Sequence, residues 1–384
     1  MSDRAAGASD GRQVLVVGDG VGGLSAAAFL HWQGLDPTVV AGPPGRSTDR
    51  EVVERCVTLW DTAVALLADI GVTAELASSS VEIGTWVVST ADGTVLERLE
   101  APDRAAHPFL AVDRRRLRRA LRDRLPSRSV RLTKTPRALR TDDGPPVVEF
   151  EDGVRERFDL VVGADGTDSW VGTNGFDADR PTVGGTTTWA FRADGAEAPG
   201  TVAEAWGTDA MVAVVPVASG ACGRLVTTAD DARAAADALA GAFGPADNPV
   251  TGGLDLPGPD ALVGAPDYVY RPDAWTADRL ALVGDAAHTL PPCSLGPSLA
   301  VEDGYVLADE LSDRTGTAAA LGRYECRRRG RLHRLDDRAG PDGAARCPLS
   351  ATGLPDLLEL RLALLRSSFA RRAGTPDPSP VERI

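Results

Sequence analysis

The sequence predicts a composite α/β fold: a doubly wound parallel sheet assembled from discontinuous pieces of chain, with a mostly antiparallel β-sheet inserted between them and helices at the C-terminal end. Three observations predict it. Apolar runs of strand length end in glycine turns near both ends of the chain, at 13–18, 158–163 and 279–284. The first and last of these turns lead into apolar helical patterns. Between the second and third, residues 181–228 read as several strands in succession. No internal repeat competes with this reading.

Each element follows from its residues. QVLVVG (13–18) is a buried strand, followed by an Ala-rich helix over about 22–33, and PTVVA (37–41) is the next strand. LWDTAVALLADIG (59–71) places Leu59, Ala63, Leu66, Leu67 and Ile70 at helical spacing and stops at Gly71. From about 82 to 99 the pattern is strand-like, with the turn Ala91-Asp92-Gly93 between two runs. DRRRLRRALRDRL (113–125) is a basic helix with Leu117, Leu121 and Leu125 on one face. The segments TTTWAFR, TVAEAWG, MVAVVPV and GRLVTT are strands, and an Ala-rich helix follows at about 230–243. SLAVEDGYVLADEL (298–311) is a helix, with two more over about 316–338 and 354–372. The division expected is a disordered leader at 1–12; a nucleotide-binding unit at 13–77, 101–172 and 272–338; a substrate-side sheet at 78–100 and 173–271; and a C-terminal helix with a frayed tail at 339–384.

Composition narrows the function. The chain has 384 residues, enough for two domains or one composite one, and 43% hydrophobic with 25% charged residues is ordinary for a folded protein. Asp and Glu number 55 against 41 Lys and Arg, a net charge of −14, which argues against nucleic-acid or anionic-membrane binding. Lys134 is the only lysine. An acidic surface almost without lysine is expected of a high-salt cytoplasm, as in a halophilic archaeon, where screening removes self-repulsion. A GC-rich genome, which favours arginine codons, is the alternative. Cys56, Cys222, Cys293, Cys326 and Cys347 are odd in number and lack CxxC spacing, so reduced thiols are expected. The polar opening MSDRAAGASDGR has no signal-peptide core, and no apolar run is long enough to span a membrane. A cytoplasmic protein is expected, of undetermined oligomeric state.

Three motifs carry chemistry. In Gly18-Asp19-Gly20-Val21-Gly22-Gly23, between strand and helix, Gly18 permits a tight turn, Gly20 a close approach to a pyrophosphate, and Gly23 tight helix–strand packing. That is a Rossmann-type dinucleotide fingerprint. The second motif is Asp159-Leu-Val-Val-Gly-Ala-Asp165-Gly166-Thr167-Asp168-Ser169, and the third is Gly284-Asp285-Ala286-Ala287-His288 with Pro291-Pro292 and Leu295-Gly296 after it. Either alone is compatible with a strand end turning through small residues.

In this order, GDGVGG, VVGADGTDS and LVGDAAHTLPP resemble the class A flavoprotein monooxygenases, the group of p-hydroxybenzoate hydroxylase and related aromatic-ring hydroxylases. VDRRRLRRAL, AWGTDAMVAVVP and YECRRRGR support the resemblance, which covers about 13–335. It implies FAD as cofactor and NAD(P)H as co-substrate. It further implies transfer of one oxygen atom, through a flavin C4a-hydroperoxide, to a small apolar or aromatic substrate. Residue by residue, it implies that Gly18, Gly20 and Gly23 cradle the FAD pyrophosphate and that Arg114 reaches the phosphate and ribityl region. Asp165 and Gly166 would touch the flavin side and the nicotinamide route. Gly284 and Asp285 would hold the ribityl hydroxyls, and Gly296 and Ser298 would open a helix aimed at the flavin pyrimidine. On spacing alone, Arg114 is one of five nearby arginines, and a helix cap is the lesser alternative for Asp285.

Four positions depart from the family pattern. The strand PTVV runs into Ala41 where an acid should meet the adenosine ribose; Asp168 stands where a base is usual; Gly172 stands where a second arginine is common; and the helix opens Gly296-Pro297-Ser298 rather than Gly-Gln-Gly. These departures predict weakened cofactor contacts and slow reduction by NAD(P)H. They keep two alternatives open: a flavin reductase or dehydrogenase of the same fold, such as an isoprenoid-lipid saturase, and a non-catalytic descendant. His288 is expected to be a packed, hydrogen-bonded residue and Cys293 a small buried thiol, while Trp189, Trp206 and Met211 line either an apolar pocket or the sheet core. His31, His107 and His333 show no metal spacing, and no Ser–His–Asp set, P-loop or Trp-x-Trp pair is present.

Overall fold

The computed structural model describes residues 11–43, 55–101, 107–141, 144–176, 178, 180–195, 199–244, 250, 253–270, 272–289, 295–313, 316–336, 358–359 and 361–366. Its helices, in chain order, are α1 (Val21–Trp32), α2 (Asp61–Asp69), α3 (Val72–Leu76), α4 (Arg114–Arg122), α5 (Trp170–Gly175), α6 (Ala232–Phe243), α7 (Gly296–Ser312) and α8 (Thr317–Asp336).

The discontinuous sheet has five strands in the order Thr276–Ala277, Leu280–Leu282, Leu160–Gly163, Gln13–Val17, Asp36–Val40. All neighbours are parallel except Thr276–Ala277, which pairs antiparallel at the edge. The Val-rich strands Val14–Val17 and Leu160–Val162 are buried on both faces, as a covered parallel sheet requires. One face meets α1 and α7, which cross so closely that a Cβ on Gly304 would lie 2.7 Å from the Ala26 amide nitrogen.

The inserted sheet has seven strands, ordered Val263–Val269, Thr182–Arg192, Gly220–Thr227, Ala210–Val217, Thr201–Trp206, Thr85–Thr90, Val95–Glu100. It is antiparallel apart from one parallel pair, Thr201–Trp206 with Thr85–Thr90. Its alternating side chains divide between two cores. Trp86, Trp206, Met211 and Val226 face the other opposite face of the parallel sheet, joining Leu15, Val17 and Leu282 in one cluster. Trp189, Val212 and Leu225 point the other way, beneath Leu239 and Phe243 of α6. Two small sheets complete the fold: Cys56–Leu59, Phe109–Asp113 and Ser80–Ile83, and Pro136–Arg140, Val147–Phe150 and Arg155–Arg157.

The leader expectation needs one correction. Arg12 is not free chain: its guanidinium donates to the Leu311 carbonyl at 2.6 Å, because the first strand starts against the end of α7. Residues 1–10 lie outside the described residues, as do 337–357 and 367–384. Within the C-terminal segment, 361–366 is helical and tied down, with Leu364 and Leu365 in the second core. Arg361 there is buried, pairs with Glu204 and stacks 4.5 Å from the Trp86 ring centroid. The strand predicted at 37–41 begins one residue earlier and stops before Ala41.

Candidate cofactor site

Sheet register brings the three motifs together. Val17 pairs with both Val40 and Gly163, and Gly163 pairs with Leu282. The turns after Val17, Gly163 and Leu282 therefore leave one edge of adjacent parallel strands, the carboxyl edge where open α/β sheets bind ligands.

The first turn is built by glycine geometry. Gly18 has φ +113°, and a Cβ there would collide with the Ala164 carbonyl; one on Gly23 would collide with the Gly18 carbonyl. Gly20 is different: nothing lies within 4 Å of its would-be Cβ. It precedes α1, whose first-turn N–H groups receive no side-chain cap. An open approach to uncapped helix N–H groups is the geometry that suits a phosphate. Sequence reasoning passed over Arg118. Its Nε donates to the Asp19 carbonyl at 2.9 Å and its guanidinium pairs with the Asp19 carboxylate, so it is the arginine that clamps this turn. Spacing could not have found it, since Arg119 follows Arg115 at the same four-residue interval as Arg118 follows Arg114. Arg114 itself is half-buried where α4 begins, its amide bonded to the Arg55 carbonyl at 2.8 Å. Asp113 caps that helix through the amides of Arg115 and Arg116.

In the second turn the carboxylate faces inward. Asp165 accepts from Ser169 Oγ at 2.5 Å and from the amides of Trp170 and Val171 at 2.7 and 3.1 Å, holding the start of α5. Burial outweighs these bonds and pushes its carboxyl up to about 6. Gly166 takes the left-handed conformation at φ +82°. Asp168 is exposed. Gly172 has a steric reason not to be arginine: a Cβ there would lie 2.6 Å from the Tyr270 hydroxyl. Burial, with the carboxylates of Asp165 and Asp168 nearby, pushes that phenol up to about 12.

In the third turn the carboxylate is left over. Gly284 has φ +61°, and Asp285 is half-buried with no hydrogen-bond or ion-pair partner among the described residues. Asp285 Oδ1 lies 3.8 Å from a would-be Cβ on Gly296, so it stands at the uncapped start of α7. Ser298 is buried; its Oγ accepts from the Trp60 amide at 3.0 Å and lies 3.5 Å from the Thr58 carbonyl. Its hydroxyl thus seats α7 against the strand Cys56–Leu59. Pro291, Pro292 and Cys293 lie outside the described residues. His288 is buried and bonded to Asp303, as a packed histidine should be. Ala41, Gly42 and Pro43 bring no carboxylate to the end of the second strand, and a Cβ on Gly42 would sit 3.1 Å from Asp165 Cβ.

These residues fit FAD. An open, uncapped helix start suits its pyrophosphate, an unpaired carboxylate suits the hydroxyls of its polyol, and the positive end of a second helix suits the polar edge of its ring. Among the described residues no three metal-ligating side chains cluster, and no helix is long and apolar enough to cross a membrane.

Of the two readings open for Trp189, Trp206 and Met211, the sheet core is the one seen: Trp206 and Met211 join the core behind the third turn, and Trp189 joins the core under α6. Trp60 packs on Phe109 at 5.2 Å between ring centroids and on Trp86 at 6.3 Å, in the same cluster as Trp206, Met211, Ala286, Ala287 and Leu295. The third turn and the inserted sheet therefore share one buried apolar core.

Known proteins place this arrangement. The model of the FAD binding domain family matches residues 12–219 and 265–339. The 3-amino-4-hydroxybenzoate 2-monooxygenase of Streptomyces cremeus is 29% identical, over 96% of this chain and 98% of its own. The aurachin C monooxygenase/isomerase of Stigmatella aurantiaca is 27% identical, over 82% of this chain and 84% of its own. HpxO of Klebsiella pneumoniae, solved with FAD and uric acid, superposes with a TM-score of 0.71 at 22% identity, covering 98% of this chain and 96% of that one, which is a likeness of fold. On the extent of the family match and the geometry of the three turns, the chain belongs to the FAD binding domain family.

Proposed function

We propose that this FAD-dependent monooxygenase hydroxylates a planar aromatic substrate and takes its electrons from NAD(P)H. The observation that carries the reading is the meeting of three nucleotide-type turns at one sheet edge, backed by a buried aromatic core of Trp60, Trp86, Phe109, Trp206 and Met211 that is continuous with Ala286, Ala287 and Leu295 of the third turn. The Streptomyces and Stigmatella relatives are named as monooxygenases, the first acting on an aminohydroxybenzoate, which supports it.

Bound FAD supplies the electron storage and oxygen activation that side chains lack. The chain does the rest. The α1 N-terminus and Gly20 would hold the phosphates, Asp285 would accept from the polyol hydroxyls, and the start of α7 would offer positive potential to the polar edge of the ring. The apolar core behind the third turn keeps water from the reacting centre. No acid–base dyad is required of the protein. Asp168, exposed beside the second turn, disfavours an approaching dinucleotide phosphate and slows reduction. The acidic, lysine-poor surface suits a high-salt cell.

The test is oxygen and NAD(P)H consumption by the FAD-loaded chain with 3-amino-4-hydroxybenzoate and related hydroxylated benzoates, using labelled dioxygen. One labelled oxygen in the product supports the reading. Reduction of substrate without oxygen uptake favours the reductase alternative, and a chain that takes up no FAD favours the non-catalytic one.

A further inference from the structure

The turn that presents Asp285 is held from behind. Its two flanks are tied to one carboxylate: the Gly284 amide donates to Asp303 Oδ2 at 2.7 Å, and His288 Nε2 lies 2.8 Å from the same oxygen. The other oxygen, Oδ1, accepts from Arg328 Nε at 2.6 Å. Asp303 and Arg328 are completely buried. Arg328 reaches further, to Glu302 at 2.9 Å and to the Leu299 carbonyl at 3.2 Å in the first turn of α7. One turn earlier on α8, the Tyr324 hydroxyl donates to the Leu282 carbonyl at 2.8 Å, at the end of the strand that feeds the turn. Tyr324 and Arg328 are thus an i, i+4 pair on one face of α8. Between them they fix the strand end, the Asp285 turn and the start of α7.

A buried ionic network is an expensive way to obtain stability, since desolvation cancels most of the Coulomb gain and apolar packing serves as well. What it secures is geometry. Here Glu302 and Asp303 face Arg328 and Arg331, with Thr62 closing on Glu302 at 2.6 Å. Against the burial that would raise it, His288 and Arg328 hold the Asp303 carboxyl well below the usual range.

We propose that Asp303 and Arg328 are positioning residues for the cofactor: they fix the Gly284–His288 turn so that the Asp285 carboxylate is held out, unpaired, for the polyol hydroxyls. The α8 helix is then part of the flavin site without touching it.

The test is FAD affinity of the full chain, measured by flavin fluorescence quenching on titration into flavin-stripped protein, beside the thermal midpoint without FAD. Asp303→Asn weakens FAD by at least tenfold, and Arg328→Met does so by more. Arg328→Lys, which keeps the charge and one donor to Asp303, recovers part of the loss. Leu239→Ala, in the remote core under α6, lowers the midpoint but leaves FAD affinity within twofold. The deciding measurement is a cycle: in an Asp285→Ala background, Asp303→Asn changes affinity by less than twofold, because its effect runs through Asp285. Full additivity in that cycle, or equal affinity losses in Asp303→Asn and Leu239→Ala, overturns the proposal and leaves the network a purely structural one. If Arg328→Met does not fold, Asp303→Asn and Tyr324→Phe carry the same cycle.

Discussion

Asp165 and Asp285 end matching strands in the same sheet, each beside a glycine with positive φ, yet they have opposite fates. Asp165 spends its carboxylate on Ser169, Trp170 and Val171. Asp285 spends its own on nothing in the protein among the described residues. The difference teaches that an Asp-Gly or Gly-Asp signature identifies a turn, while the role of the acid depends on whether the following segment turns its N–H groups back toward it. After Asp165, α5 starts within five residues and consumes the acid as a cap. After Asp285, α7 starts only at Gly296, and the acid is left without a partner among the described residues.

The sharpest way to break this comparison is to remove each carboxylate. Asp285→Ala should weaken FAD by about 10- to 100-fold, since a charged hydrogen bond to a hydroxyl contributes about 1.5–3 kcal/mol. Its thermal midpoint without FAD should match that of the exposed control Asp260→Ala. Asp165→Ala should show the reverse, with a loss of about 1–3 kcal/mol in denaturant unfolding and a smaller change in FAD affinity. If the two variants behave alike, the distinction fails.

A second test uses pH. The folded-state pKa of Asp165 is raised to about 6 from 3.8, so the folded protein favours its neutral form. Its contribution to stability is therefore greatest below about pH 4 and is lost as pH rises toward 6. Asp165→Asn, which cannot ionise, should gain on the wild type by about 1–2 kcal/mol between pH 4 and 7; two pKa units correspond to about 3 kcal/mol, and partial solvent contact reduces it. Glu302 has the opposite sign: lowered to about 2 by Arg331 and Arg328 against its burial, it stabilises above about pH 4.5, and that stability is lost as pH falls toward 2. Urea unfolding at the two pH values, with and without the asparagine, measures the first slope.

Smaller effects concern the exposed acids. Asp168→Arg should speed flavin reduction by NAD(P)H about fivefold, since exposure keeps the repulsion near 1 kcal/mol. Stopped-flow reduction rates that do not change would take Asp168 off the cofactor's route. Raising KCl from dilute buffer to molar concentration should raise the thermal midpoint by a few degrees by screening carboxylate repulsion. A flat midpoint would leave codon bias as the reason for the missing lysines.

Much of the site was legible because its chemistry is local. Gly18, Gly20 and Gly23 act through backbone shape within one turn, and Asp285 lies beside the glycine that exposes it. Gly172 shows the limit. In sequence it reads as a missing arginine; in space the Tyr270 hydroxyl fills the room a side chain would need, and nothing near residue 172 announces a tyrosine almost a hundred positions away. Ser298 shows the same limit, since the Trp60 amide that occupies its hydroxyl belongs to a distant strand end. Arg118 was indistinguishable from its arginine neighbours until the fold placed Asp19 beside it.

By itself the sequence determined the fold class, the alternation of parallel and inserted sheets, and the cofactor family. Strand periodicity, helix periodicity and glycine turns are written within a few consecutive residues, where backbone sterics act. Tertiary structure alone decided which acids are spent and which are free, which arginine clamps the first turn, and that α8 supports Asp285 from behind. Those outcomes depend on side chains far apart in sequence and close in space. A buried charge must find partners wherever the fold brings them.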